Sequence, residues 1–238
     1  MYEKSKTTNA KPYIVLSIIY IFSSIFSIIA SINRERILYP LFKGLVMPSI
    51  MGYAHLAWEG TRDKKYIGLQ LAFTSAWLGD VFLALPKGYT PFFFAGGLFF
   101  LLQHIFYIWL NLSAKNPEND FWQMPYWGIP STVYIVLISV IYWAKCGLIL
   151  KMLFGLYSIA LGTSFYTAFY RGFKNKSGYL FGVIGFGLFV ISDILIIIDN
   201  LVVPLKGMKR SFVLITYYLA QSIICVAYIE ESKVLSPK

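Results

Sequence analysis

Residues Gly178 to Asn200 read GYLFGVIGFGLFVISDILIIIDN, an apolar run broken only by Ser192-Asp193 and closed by Asp199-Asn200. At a rise of about 1.5 Å per residue, roughly twenty such residues cross the ~30 Å hydrocarbon layer of a bilayer as a helix. A strand of a membrane barrel would be about half as long and would alternate polar with apolar residues. The run therefore predicts a transmembrane helix. Read the same way, apolar spans recur at 12–32, 38–58, 66–86, 91–111, 126–144, 148–170, 178–200 and 209–230. They occupy nearly all of the 238 residues, so no soluble domain fits in what remains. The expected fold class is all-α: a polytopic membrane helical bundle of eight transmembrane helices, forming one domain over residues 1–238.

Composition agrees. Hydrophobic residues make up 58% of the chain and charged residues 13%, about half the share of a soluble domain. A mean hydropathy of +0.63 is too high for one buried core under a polar shell. Cys146 and Cys225 lie far apart in apolar surroundings, so they form neither a disulfide framework nor a CxxC-type metal site. The net charge of +10 sits in short clusters between spans, such as Arg34-Glu35-Arg36, Arg62 to Lys65, Arg171 to Lys176 and Lys206 to Arg210. That distribution suits anionic lipid headgroups and argues against nucleic acid.

Lys4, Lys6 and Lys11 precede the first span as they would a signal peptide, but the run from Tyr13 to Ile32 is too long for one, so an uncleaved helix is expected. The N-terminus, the even-numbered loops and the C-terminal tail carry 12 Lys and Arg against 8 on the opposite side, which places both termini in the cytosol. Ser113 to Pro125 is the expected hinge between two four-helix halves. Gly79-Asp80 in the third span and Ser192-Asp193 in the seventh suggest a four-plus-four parallel repeat about an axis along the membrane normal.

Of eleven acidic residues, only Asp80 and Asp193 lie well inside apolar spans. A carboxylate at that depth costs about 3 kcal/mol and needs a partner or a water-filled cavity. Burial disfavours its charged form, leaving an acid able to donate a proton near neutral pH. The plainer alternative is two protonated side chains bonded to neighbouring helices. Gly96, Phe100, His104 and Tyr107 fall on one face of the fourth span. Gly96 permits close approach there, while His104 and Tyr107 offer an imidazole and a hydroxyl, unless His104 is only a satisfied core residue. Tyr217 and Gln221, one turn apart in the eighth span, offer a hydroxyl and an amide, with Tyr218 read as packing. Lys43, one turn inside the second span, either snorkels to the interface or binds a phosphate. His55 reads as interfacial and Asp199 as a solvated helix end.

Two histidines cannot build a three-His zinc site, and no HExxH, GxSxG, GxxxxGK[ST] or GxGxxG is present. No metal or cofactor is expected, and the remaining chemistry is that of carboxylates.

Four signatures resemble the YhhN-type lysoplasmalogenase family, its animal members in particular. They are Ser75-Ala76 with Gly79-Asp80; Phe93, Gly96, Phe100, His104 and Tyr107; Phe189 with Ser192-Asp193; and Thr216-Tyr217-Tyr218 with Ala220-Gln221. The chain departs from that pattern at Phe186, between Gly185 and Gly187, and in the position of Pro48 after Lys43. The resemblance implies an eight-span enzyme of the endoplasmic reticulum membrane that hydrolyses the vinyl ether of lysoplasmalogens. The products would be a fatty aldehyde and glycerophosphoethanolamine or glycerophosphocholine. Enol ether hydrolysis needs an acid, a nearby anion and one water, which Asp80 and Asp193 sharing a cavity would supply. His104 and Tyr107 would then hold water or the second carboxylate, and Tyr217 and Gln221 the glycerol or ether oxygen. Two rival readings remain: a transporter or scramblase using the buried Asp and His as a relay, and a noncatalytic lipid sensor.

Overall fold

A computed structural model describes residues 10–59, 61–85, 90–113, 128–143, 147–171, 176–199, 205 and 208–235. The described residues form eight helices: α1 Ala10–Ile32, α2 Leu38–Ala57, α3 Lys64–Ala84, α4 Thr90–Ser113, α5 Gly128–Trp143, α6 Leu148–Tyr170, α7 Lys176–Ile197 and α8 Met208–Leu235. Every expected span lies on one of them. The expected hinge from Ser113 to Pro125, apart from Ser113 itself, lies outside the described residues, as do Cys146, Asn200 and parts of the Arg171 to Lys176 and Lys206 to Arg210 clusters.

Six of these helices are long and apolar enough to cross a membrane: α1, α3, α4, α6, α7 and α8. Lys43, Gly44, Pro48, Ser49, Gly52 and His55 dilute the apolar character of α2. The expected fifth span, 126–144, extends at both ends past the 16 described residues of α5, whose rise is about 24 Å.

Local chemistry sets the helix ends. Asp63 caps α3, its carboxylate accepting from Lys65 N at 3.1 Å and Tyr66 N at 3.2 Å, so the helix starts two residues before the apolar run does. The αL residue Arg34, φ 57°, closes the turn after α1 while Glu35 N reaches back to Ala30 O at 2.9 Å. Pro48 cannot donate to Gly44 O, and that free carbonyl accepts from the Trp77 indole at 2.9 Å, tying α2 to α3. Helix α8 continues past the expected end through Glu231 and Ser232, because both are packed inside the bundle.

Neighbour packing runs α1, α2, α3, α4, α6, α7, α8 and back to α1, a closed ring with α5 outside against α6 and α7. Burial is inverted relative to a soluble protein. Ile14, Ile18, Phe22 and Ile25 of α1 and Ile149, Met152, Leu156 and Ile159 of α6 face outward, while Lys43, Asp80, Gln103, His104, Asn111, Arg171, Asp193 and Gln221 are buried. A lipid solvent favours that arrangement.

Candidate active site

Asp80 and Asp193 are 1% and 2% exposed. Each stands four residues before the last residue of its helix, Ala84 of α3 and Ile197 of α7, about one turn inside the same end of the bundle. They do not share partners. Lys43 Nζ of α2 lies 3.1 Å from Asp80 Oδ1, and the Tyr217 hydroxyl of α8 donates to Asp80 Oδ2 at 2.8 Å. The Tyr157 hydroxyl of α6 donates to Asp193 Oδ2 at 2.6 Å, and His104 Nε2 of α4 lies 3.4 Å from that same oxygen.

Lys43 neither snorkels nor stands open to a phosphate, as the sequence reading offered. It is 5% exposed and turned inward, because an unpaired carboxylate at this depth costs more than bringing the ammonium to it. Arg171, expected among the headgroup-binding loop residues, is likewise buried. Its guanidinium lies 3.4 Å from Glu231 and 4.7 Å from the centroid of the Tyr228 ring, and donates to Gly178 O at 2.8 Å. His55 is exposed at that far end, between Tyr66 and Arg62.

A pocket opens between α3, α4, α6 and α7, lined by Leu83, Phe93, Gly97, Phe100, Leu101, Leu153, Phe154, Tyr157, Ile196, Ile197 and Asp193. Among the described residues Asp193 is the only carboxyl on this wall, and apart from the Tyr157 hydroxyl the lining is almost wholly apolar. Asp80 lies behind the wall, where Phe100 meets Tyr217 edge-on at 5.9 Å. Rings join the two carboxyl sites: Tyr217 to Phe189 at 5.6 Å and Phe189 to His104 at 4.9 Å.

The expected α4 face is present, since Gly96, Phe100, His104 and Tyr107 are all buried. Gly96 and Gly79 bring α3 and α4 into close contact. A Cβ on Gly96 would lie 2.6 Å from Leu83, and one on Gly79 would lie 2.8 Å from Phe100. Tyr107 donates to Gln221 Oε1 at 2.7 Å and accepts from Gln103 Nε2 at 3.2 Å. Tyr217 and Gln221 are thus engaged inside the bundle and do not line the pocket. Ser192 donates to Val213 O at 3.0 Å, fixing α7 on α8. Phe186 turns away from the pocket to pack edge-on against Tyr107 at 5.0 Å.

Sequence reasoning placed α6 but missed its polar face. Tyr157, Ser164 and Arg171 recur every seven residues and therefore share a face, opposite the similarly spaced His104 and Asn111 of α4. Ser164 Oγ lies 3.0 Å from His104 Nδ1, while Asn111 Nδ2 donates to Ser164 O at 3.1 Å. That spacing was the available signal.

Both aspartates, their partners and the pocket lining lie within 38–228, the segment that matches the YhhN family. No curated protein and no solved structure matches the chain. The match runs from the start of α2 to Tyr228 in α8 and takes in both buried aspartates with every partner named above, so the chain belongs to the YhhN family.

Proposed function

We propose that this protein hydrolyses the vinyl ether bond of lysoplasmalogens, with Asp193 as the acid. One observation carries the reading: a buried carboxyl, held by Tyr157 and His104, is the only carboxyl among the described residues on the wall of an apolar pocket near one end of the bundle. An alkenyl chain entering from that end brings its first double bond to Asp193.

The proton moves from the acid to the outer alkene carbon, and the alkene π pair becomes the new C–H bond. Positive charge is left on the inner carbon and the ether oxygen. Water adds to that carbon and gives a proton back to the vacated base. The hemiacetal then collapses: its hydroxyl gives up its proton as the C=O bond forms, the C–O bond to glycerol breaks, the leaving oxygen takes up a proton in exchange, and an aldehyde is released. Slow proton transfer to carbon is the step an acid in a dry site accelerates.

Asp80 has donors facing both oxygens, Lys43 and Tyr217, an arrangement that suits a carboxylate. It supplies fixed negative charge behind the pocket wall and seats Tyr217 against Phe100. His104 accompanies the acid, and Tyr107 with Gln221 braces α4 against α8. We further propose that all eight helices cross the membrane as two parallel halves. The termini are cytosolic in this arrangement, as the Lys and Arg distribution supports, and the membrane is that of the endoplasmic reticulum.

A proton-coupled transporter would need a continuous relay. Among the described residues the Ser164 hydroxyl is directed to Leu161 O at 2.7 Å and Asn111 meets Ser164 through its backbone carbonyl, so no proton passes from His104 through that hydroxyl to Asn111. Purified protein incubated with a lysoplasmalogen should release fatty aldehyde without a membrane gradient. Transport of intact lipid across sealed vesicles with no aldehyde would reject the enzyme reading.

A further inference from the structure

Hydrogen-bond accounting around His104 locates a proton. Ser164 has one hydroxyl proton, directed to Leu161 O at 2.7 Å. What Ser164 Oγ offers His104 Nδ1 at 3.0 Å is therefore a lone pair, and Nδ1 carries a hydrogen. On the other side of the ring, Nε2 faces Asp193 Oδ2 at 3.4 Å and Tyr157 Oη at 3.3 Å. The Tyr157 proton is already directed to Asp193 Oδ2. A neutral imidazole with a bare Nε2 would turn its lone pair on two oxygens, and His104 is fully buried, so no bulk water relieves it.

We infer that Ser164 and Tyr157 are positioning residues that fix one shared proton between His104 Nε2 and Asp193 Oδ2. Ser164 sets the imidazole tautomer, and Tyr157 seats the carboxyl oxygen on the pocket wall. Asn111 holds the Ser164 carbonyl at 3.1 Å and so anchors that turn of α6. The other nearby ionisable groups, Tyr107, Tyr217 and the Asp80–Lys43 pair, sit against the ring or beyond Phe189 and bond elsewhere. If the hydrolase reading holds, this is the proton delivered to the alkene carbon, and the capturing water restores it to the same pair.

The chain has only two histidines, so His55→Gln, an exposed site at the opposite end, leaves His104 as the single imidazole. Nitrogen NMR of that histidine-labelled protein in nanodiscs should show a proton on Nδ1 and no bare Nε2. Ser164→Ala should move the ring to the Nε2–H tautomer, while Tyr157→Phe should keep the Nδ1 proton and shift Nε2 away from imidazolium, because the carboxyl loses a donor that favours its charged form. In the aldehyde assay Ser164→Ala should lower kcat by about 10²-fold with little change in KM, and Ser164→Thr should restore it. A starting protein with a bare Nδ1, or a Ser164→Ala ring that keeps its Nδ1 proton, would overturn the assignment. Should no aldehyde ever form, the hydrolase reading falls, and the nitrogen signals of the starting protein still decide this one.

Discussion

Asp80 and Asp193 are held by exchanged partners: each meets one side chain from the second helix of its own set of four in chain order, α1–α4 or α5–α8, and one from the fourth helix of the other set. Asp80 on α3 takes Lys43 from α2 and Tyr217 from α8, and Asp193 on α7 takes Tyr157 from α6 and His104 from α4. No hydrogen bond joins the two carboxyls among the described residues. The pattern is what a four-plus-four parallel repeat would generate, with one site kept as an ion pair and the other opened to a pocket.

The ion pair makes a stability prediction. Lys43→Met or Asp80→Asn alone strands a buried partner and should cost about 3–5 kcal/mol. The double variant removes both charges and should recover most of that loss. Thermal unfolding in detergent, run as a double-mutant cycle, measures the coupling.

Arg171 predicts an effect at the opposite end. Its guanidinium joins α6 to α7 through Gly178 and to α8 through Glu231 and Tyr228. Arg171→Met should destabilise the fold by about 3–5 kcal/mol. The specific activity of the protein that remains folded should stay nearly unchanged, since the cluster touches no pocket residue.

These two pairs mark where the sequence stopped being informative. Helix positions were legible because a bilayer demands long apolar runs, and the α4 face was legible because helical periodicity puts His104 over Phe100. Partner identity was not. Lys43 lies 37 positions from Asp80 and Tyr217 lies 137 from it, and a lysine one turn inside a span has the same local signature whether it snorkels or pairs. Glu231 lies one residue past the expected end of the eighth span, and the cation that pairs with it there comes from the end of α6. Tyr157 and Ser164 were hidden in a helix whose polar face shows only at seven-residue steps.

The glycine crossing of α3 and α4 should tune substrate size. Gly96→Ala would drive Leu83, a pocket residue, away from its 2.6 Å position. KM for long-chain lysoplasmalogens should rise several-fold, and shorter chains should be affected less. Equal losses across chain lengths would mean that Leu83 does not border the chain. Gly79→Ala would press instead on Phe100, itself a pocket residue that also meets Tyr217 edge-on.

Asp193→Asn should leave the protein inserted and folded but reduce aldehyde release by at least the ~10²–10⁴-fold ascribed to general acid catalysis. Comparing gel-filtration profiles and unfolding midpoints with activity separates loss of chemistry from loss of structure.

Protonation at carbon leaves an isotopic record, and reading it is the most direct test. Lysoplasmalogen hydrolysed in heavy water, with the aldehyde reduced at once to its alcohol, should carry one deuterium on the carbon next to the former carbonyl. Aldehyde formed with only hydrogen from the substrate at that carbon would contradict acid delivery to the alkene, and with it the role given to Asp193.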